Sequence, residues 1–342
     1  MQTRNGSGRV GELGIAVTLL LASTVADARN FVWSEDQAYT EGRFSYTTAE
    51  NFWGKDGTQS TIGCQSGGGD VNTNASVVQY SDCKSQSKVL SLDVEYGASY
   101  YYTLYANTGY GQSQYIPKGP ACTGSAGTGG SANACPLPPG STTTTKSPNY
   151  SPTEVQSGAV DSAVGIRGRL DPYENYKTWE LEAEVPTSAA QPGTSRLGCG
   201  VWGGAFRLER KAELASREAD NANGLPYLAL ELGAAGYYWQ APLNPQARAY
   251  LGFSGNFNEN WGWFLSASGF MPVAQRESTN NPTGAASDCG TSAKAVSGTL
   301  ELKHQLSMDP DVFFNCGGSG VAWGRDVSKS AGGYCGLTAL FK

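Results

Sequence analysis

The sequence predicts an all-β protein: a single antiparallel transmembrane β-barrel of about twelve strands, with short periplasmic turns and long extracellular loops. Three observations predict it. First, Trp179-Glu180-Leu181-Glu182-Ala183-Glu184-Val185 alternates apolar and charged residues with period two. In a strand this puts Trp179, Leu181, Ala183 and Val185 on one face and three glutamates on the other. Second, the charged face is mixed in sign along the chain. Arg43, Arg167, Arg169, Arg207, Arg248 and Lys303 stand against Glu41, Asp93, Glu95, Glu180, Glu182, Glu184, Glu209, Glu231 and Glu301. Opposite charges in one lattice suit a narrow aqueous lumen, where like charges alone would repel, so these residues are the candidate lumen lining and selectivity determinants. Third, aromatics gather near strand ends, at Tyr100-Tyr101-Tyr102, Tyr237-Tyr238-Trp239 and Trp261-Gly262-Trp263. Amphipathic rings favour the membrane interface.

Composition is consistent with this class. Of 342 residues 45 are Gly, 18 Tyr and 8 Trp, and only 16% are charged, which is low in charge and rich in Gly and aromatics for a soluble domain. A net charge of −6 argues against a nucleic-acid partner, which wants a basic patch. Beyond the N-terminus no apolar run approaches the about 18 residues of a membrane helix. The N-terminus itself reads as a secretory signal over 1–28. Arg4 and Arg9 give a positive start, Leu13 to Val25 is apolar, and Ala26-Asp27-Ala28 fits a small-x-small cleavage site, leaving 29–342 as the barrel. Export places the eight cysteines in an oxidising space. None forms CxxC or CxxCH, so zinc-ribbon and covalent-haem readings have no support. Cys64–Cys83 and Cys122–Cys135 are the expected disulfides, because each would close a Gly- and Ser-rich loop. The partners of Cys199, Cys289, Cys316 and Cys335 stay open.

The strands follow from alternation, in order. Glu41 to Tyr46 sets charges against aromatics. Leu90 to Tyr96 sets carboxylates against Leu90, Leu92, Val94 and Tyr96. Val164 to Leu170 does the same with arginines, followed by Trp179 to Val185, Phe206 to Glu209 and Tyr227 to Leu232. Arg248 to Phe253, Trp263 to Ala267, Leu300 to Leu306 and Tyr334 to Phe341 complete the set. These segments mark about a dozen expected strands, each near the 9–11 or so residues that a tilted membrane strand needs. Tight turns are expected at Asp171 to Asn175, Pro242 to Pro245, Asn258 to Asn260 and Met308 to Asp311. Long Gly-, Ser- and Thr-rich loops are expected at Gly54 to Asn74, Gly111 to Glu154 and Glu277 to Ala293.

A family resemblance rests on short motifs spread over about residues 33–342. They are Trp33 and Gly42; Glu95-Tyr96-Gly97; Ala163 to Leu170; the glutamate-rich strand closing at Val185-Pro186-Thr187; and Gly324-Arg325-Asp326 with Gly332 to Leu337. In these the chain resembles the MetA-pathway phenol-degradation family of outer-membrane β-barrel transporters. It departs from the family at its cysteines and at Lys342, with Phe341 one residue before it. The resemblance implies passive passage of small, hydrophobic or aromatic solutes through a Gram-negative outer membrane. The implied partners are outer-membrane lipid, the outer-membrane assembly machinery and a small-molecule solute.

Chemistry for catalysis is thin. His304 is the only histidine, and it shares the face of Leu302 and Leu306, away from the charges. Any Ser–His–Asp triad would have to use it. Gly252-Phe253-Ser254-Gly255 is one residue short of a nucleophile elbow. Asp70-Val71-Asn72-Thr73-Asn74 begins like a calcium loop but lacks its Gly and closing Glu. Two carboxylates at i and i+2 on a strand sit about 6.5–7 Å apart, a spacing open to glycosidases. Facing arginines make ion-paired lumen charges the better account. The expected function is therefore a passive channel, with no enzyme activity, no cofactor and no metal. The rivals are a non-conducting surface or scaffold barrel and a secreted soluble β-sandwich that binds a ligand.

Overall fold

The computed structural model describes residues 32–54, 56–66, 78–117, 121–124, 144–147, 155–171, 174–187, 200–215, 228–240, 244–258, 260–274, 293–308, 310–325 and 327–341. The expected signal peptide, 1–28, lies outside them. The strands are β1 (Ala38–Trp53), β2 (Gln59–Ser66), β3 (Val78–Ser99), β4 (Tyr102–Pro117), β5 (Ala121–Gly124), β6 (Thr144–Ser147), β7 (Gln156–Ala159) and β8 (Ser162–Asp171). They continue as β9 (Glu174–Val185), β10 (Gly203–Ala215), β11 (Leu228–Trp239), β12 (Gln246–Asn256), β13 (Trp261–Pro272), β14 (Lys294–Met308), β15 (Asp311–Arg325) and β16 (Val327–Phe341).

Twelve of them close a ring of antiparallel pairs in the order β1-β3-β4-β8-β9-β10-β11-β12-β13-β14-β15-β16 and back to β1. Closure gives every barrel strand a neighbour on both sides, which is what a sheet needs in lipid, where no water can satisfy an edge. Short β2, β5, β6 and β7 extend the wall at one end only. The chain enters at the opposite end, where Ala38 pairs with Phe341. That end carries tight links between β3 and β4, β8 and β9, β12 and β13, and β14 and β15, so we call it the turn end. The other, the loop end, carries the long segments predicted near 54–74, 111–154 and 277–293.

The polarity is inverted relative to a soluble domain. Glu41, Glu95, Arg167, Glu180, Glu231 and Glu301 are buried, while Leu90, Leu92, Val164, Leu181, Phe206, Leu232, Leu265, Leu300 and Leu337 are exposed. Along β1 the alternation is direct: Glu41 and Arg43 point in, Gly42 and Phe44 out. An apolar outer surface around a charged interior is the membrane-barrel arrangement. Tyr100, Tyr101, Tyr102 and Trp261 are exposed at the turn end, and Trp202, Tyr238 and Trp323 at the loop end, so aromatics ring both rims.

Several expectations shift. The connection predicted from Gly111 begins only beyond Pro117, because β4 continues as a strand from Gly111 to Pro117, a stretch rich in Gln and Ser with no period-two contrast. β3 begins at Val78, well before the Leu90 start read from alternation, for the same reason: Ser85, Gln86, Ser87 and Lys88 carry no two-faced pattern. Alternation marks neither β4 nor β15 as a strand, and β15 hides in Cys316-Gly317-Gly318-Ser319-Gly320. The Pro242 to Pro245 link sits at the loop end, between β11 and β12. At that end Asp56 closes the β1–β2 turn by accepting from the Thr58 N–H at 3.0 Å and its hydroxyl at 2.7 Å, which holds the carboxyl below its ordinary range.

Cys316 and Cys335, directly opposed on β15 and β16, form a disulfide with their Cα atoms 4.1 Å apart. Cys83 is also disulfide-bonded. Among the described residues no cysteine is free. The side chains of Cys64 and Cys122, and all of Cys135, lie outside them, so the pairs Cys64–Cys83 and Cys122–Cys135 remain expectations.

Candidate functional site

The inward side chains assemble into two ion-pair lattices on opposite halves of the wall. The larger one runs from β3 to β11. Glu95 (β3) binds Arg167 (β8) at 3.2 Å across the intervening β4. Arg167 also reaches Glu180 (β9) at 2.8 Å. Glu180 is shared with Arg207 (β10), which continues to Glu182 at 3.2 Å. Tyr105 donates to Glu182 at 3.1 Å, and Arg207 Nη2 donates to the Tyr237 hydroxyl at 2.5 Å. The smaller lattice joins β1 to β14–β16. Glu41 accepts from Arg43 at 2.6 Å and from the Tyr39 hydroxyl at 2.6 Å, and from Asn315 at 3.3 Å. Arg43 reaches over to Glu301 at 3.9 Å, and Tyr334 donates to that same carboxylate at 2.6 Å. Desolvated charges persist only when paired and hydrogen-bonded, so each lattice is an answer to its own burial.

The register explains the assembly. Arg167 lies opposite Glu180, and Glu180 opposite Arg207, so three consecutive strands present plus, minus, plus at one level. Alternation then puts Glu182 and Glu184 on the same inner face. Glu184 accepts from Trp239 at 2.7 Å. Glu231 takes Lys211 at 3.4 Å and Ser254 at 3.2 Å. Glu209 is buried on the β10 face that carries Arg207. Asp93 is half-buried, opposite Glu41 in register. Lys303 sits over the Phe313 ring at 4.1 Å. Arg169 lies over Tyr100 at 3.9 Å and Arg248 over Tyr237 at 4.0 Å.

Sequence reasoning missed the inward aromatics. Tyr39, Tyr105, Tyr237, Tyr334 and Trp239 are all buried. The sequence places Tyr237 and Trp239 at the interface with Tyr238; in the structure Tyr238 is exposed there and its two neighbours are buried on the inner face. The signal was available, since Tyr237 and Trp239 share parity with Glu231 on β11 and Tyr39 shares it with Glu41 on β1. Lys211, Gln246 and Asn315 were missed as well.

The turn end is capped by the segment that precedes β1. Trp33 Nε1 donates to Glu95 at 2.5 Å, and the Trp33 N–H donates to the Thr103 hydroxyl at 2.8 Å. The Trp33 ring stacks on Tyr39 at 5.3 Å. Asp36, at a φ of 64°, turns the chain back, while its N–H bonds the Gly97 carbonyl and its carboxylate accepts from Tyr96 at 2.8 Å. Gly97 in turn donates to the Gln37 carbonyl. A Cβ at Gly97 would collide with the Ser34 carbonyl oxygen. Glu95-Tyr96-Gly97 is therefore the dock for Trp33 to Gln37, with acid, phenol and missing side chain each used.

His304 stands outside this interior. Its ring stacks on Trp261 at 4.4 Å, and Nδ1 lies 3.2 Å from the Asn260 carbonyl oxygen.

The sequence matches no family model and no curated protein. Solved structures do match. The crystal structure of the COG4313 outer membrane channel from Pseudomonas putida F1 aligns over 92% of this chain and 98% of its own, at a TM-score of 0.55 and 11% identity. The two chains share a fold. A Pseudomonas aeruginosa FadL homologue aligns over 98% of this chain and 97% of its own, at a TM-score of 0.39 and 9% identity. The translocator domain of the autotransporter NalP from Neisseria meningitidis aligns over 89% and 88%, at 0.40 and 8%.

Proposed function

We propose that this chain is an outer-membrane channel that passes small, hydrophobic or aromatic solutes passively across the barrel. The observation that carries the reading is the lumen itself: ion pairs and inward aromatic rings share one interior, inside a wall whose outer surface is apolar. A solute with an apolar body meets Tyr39, Tyr105, Tyr237 and Trp239 there, while the charges set which ions can follow. The shared fold with an outer membrane channel supports the reading. So does the position of His304 on the outer surface, which leaves the interior without the base that a triad would use. In this reading the turn end is periplasmic, the outer wall meets outer-membrane lipid, and the assembly machinery inserts it.

The test is single-channel recording and solute flux with the purified barrel in bilayers. Open conductance and permeation of a small aromatic support the channel. A second reading has its own observation: Glu41 is 0% exposed and Glu180 2%, so water does not reach the lattice centres. On that reading the barrel is a non-conducting scaffold, and recordings stay silent. Glu182→Gln removes a lumen carboxylate without stranding Arg207, which keeps Glu180. In a conducting barrel it shifts the permeability ratio toward anions; an unchanged reversal potential places Glu182 off the path.

Trp33 gives a further expected result. Trp33→Ala removes the ring that stacks on Tyr39 and the donor to Glu95, so conductance should rise several-fold while heat-resistant migration on gels is kept. Conductance equal to that of the parent protein would show that Trp33 to Gln37 does not obstruct the path.

A further inference from the structure

The lumen arginines divide into two groups. Arg43, Arg167 and Arg207 each hold at least one carboxylate within 4 Å. Among the described residues Arg169 and Arg248 hold none, and each rests on a tyrosine ring instead, Arg169 over Tyr100 and Arg248 over Tyr237. They occupy opposite ends. Arg169 lies two residues from the turn end of β8, and Arg248 two residues from the loop end of β12.

Both have donors with no acceptor. Arg169 is 9% exposed, and its Nε and Nη1 are buried without a hydrogen-bond partner. Arg248 Nε is likewise buried and unpartnered, as is Nε2 of Gln246, a side chain that is 0% exposed. Gln246 Oε1 accepts from Arg248 Nη2 at 3.4 Å, so the amide and the guanidinium are held side by side. Glu184, a carboxylate on this side of the lumen, is engaged by Trp239. Rings complete the surroundings: Arg248 lies 5.9 Å from the Trp239 centroid and 5.7 Å from that of Phe270. Unmade buried donors are costly and uncommon in native proteins. Here three of them fall on the two lumen arginines that hold no carboxylate within 4 Å among the described residues, and both arginines are aromatic-flanked.

We infer that Arg248 with Gln246 at the loop end, and Arg169 at the turn end, are two stations for an aromatic oxyanion, a solute bearing a carboxylate or phenolate on a ring. The inference rests on the channel reading and narrows its solute class. The oxygen accepts from the free guanidinium and amide donors, a charge-assisted contact. The ring lies among Tyr237, Trp239 and Phe270 at one end and on Tyr100 at the other. Between the stations the paired lattice offers no spare donor charge, so the anion is held at the ends and passes the middle by displacement of paired partners.

Benzoate is the probe, with benzyl alcohol as the neutral ring and acetate as the ringless anion. Calorimetric titration of the detergent-solubilised full chain should show saturable benzoate binding, with acetate and benzyl alcohol each at least about tenfold weaker, the value of one charge-assisted contact. Arg248→Gln should weaken benzoate by about tenfold and leave benzyl alcohol unchanged. Arg248→Lys keeps the charge but loses Nε and the planar stack, and should recover only part of the loss. Arg169→Gln reports the second station in the same way. Heat-modifiable migration on gels confirms that each variant is folded. No saturable benzoate binding, or an equal loss for benzoate and benzyl alcohol in Arg248→Gln, overturns the inference. Benzoate binding without flux in proteoliposomes overturns the channel reading and leaves the stations standing.

Discussion

Glu180→Ala will destabilise the barrel by about 3 kcal/mol, the lower end of the cost of breaking a buried ion pair from one side. Glu180 is 2% exposed and is the one carboxylate that both Arg167 and Arg207 share. Its removal leaves two guanidinium groups side by side in the interior with one acid fewer. The cost sits at the lower end because Arg167 keeps Glu95 and Arg207 keeps Glu182. Urea titration of the folded barrel in detergent, read by the loss of heat-resistant migration, measures it. Arg207→Met alone should cost a similar amount, since Glu180 then depends on Arg167. The double variant should cost clearly less than the sum, because the two groups are in contact. Additive losses would mean that the pair contributes no coupling.

Leu300→Arg will cost about 2–4 kcal/mol in a bilayer, the penalty for a cation at the lipid-facing midplane of a barrel. Leu300 lies midway along β14, opposite Leu265 on β13, and is 54% exposed. In a soluble sandwich an arginine at so exposed a position is close to neutral. The experiment therefore separates lipid from water as the outer solvent. Folding into vesicles followed by denaturant titration reads the cost. A loss below about 0.5 kcal/mol, the scale of a soluble surface substitution, would sink the membrane reading. Arg210, exposed near the turn end of β10, shows the tolerated version, since the penalty falls toward the interface.

Alternation made the middle of the barrel legible. Wherever a strand sets acids and arginines against Leu, Val or Phe, both its existence and its inward face could be read, as at Val164 to Leu170 and Trp179 to Val185. It failed where neither face carries a charge. β15 presents Gly317 beneath the Tyr334 ring, and a Cβ there would meet the tyrosine hydroxyl. A glycine chosen for close approach carries no period-two signal. The upper part of β3 failed for a different reason: both of its faces are polar there, with Ser85 and Ser87 buried on one side and Gln86 and Lys88 on the other. The inward tyrosines were missed because an aromatic in a strand reads as apolar until a partner for its hydroxyl is known.

The sequence by itself determined the class of fold, the face that carries the charges in most strands and many of the charges on it. These are local matters, set by the two-residue period of a strand and by the sign of each side chain. Only the tertiary structure decided which charges meet. Arg43 finds Glu301 from β1 to β14, and Glu95 finds Arg167 across β4, through the order in which the ring closes and the register of each pair. It also decided that three arginines are matched and that Arg169 and Arg248 are not. Matching depends on distances of a few ångströms between strands remote in the chain, and no local pattern carries that information.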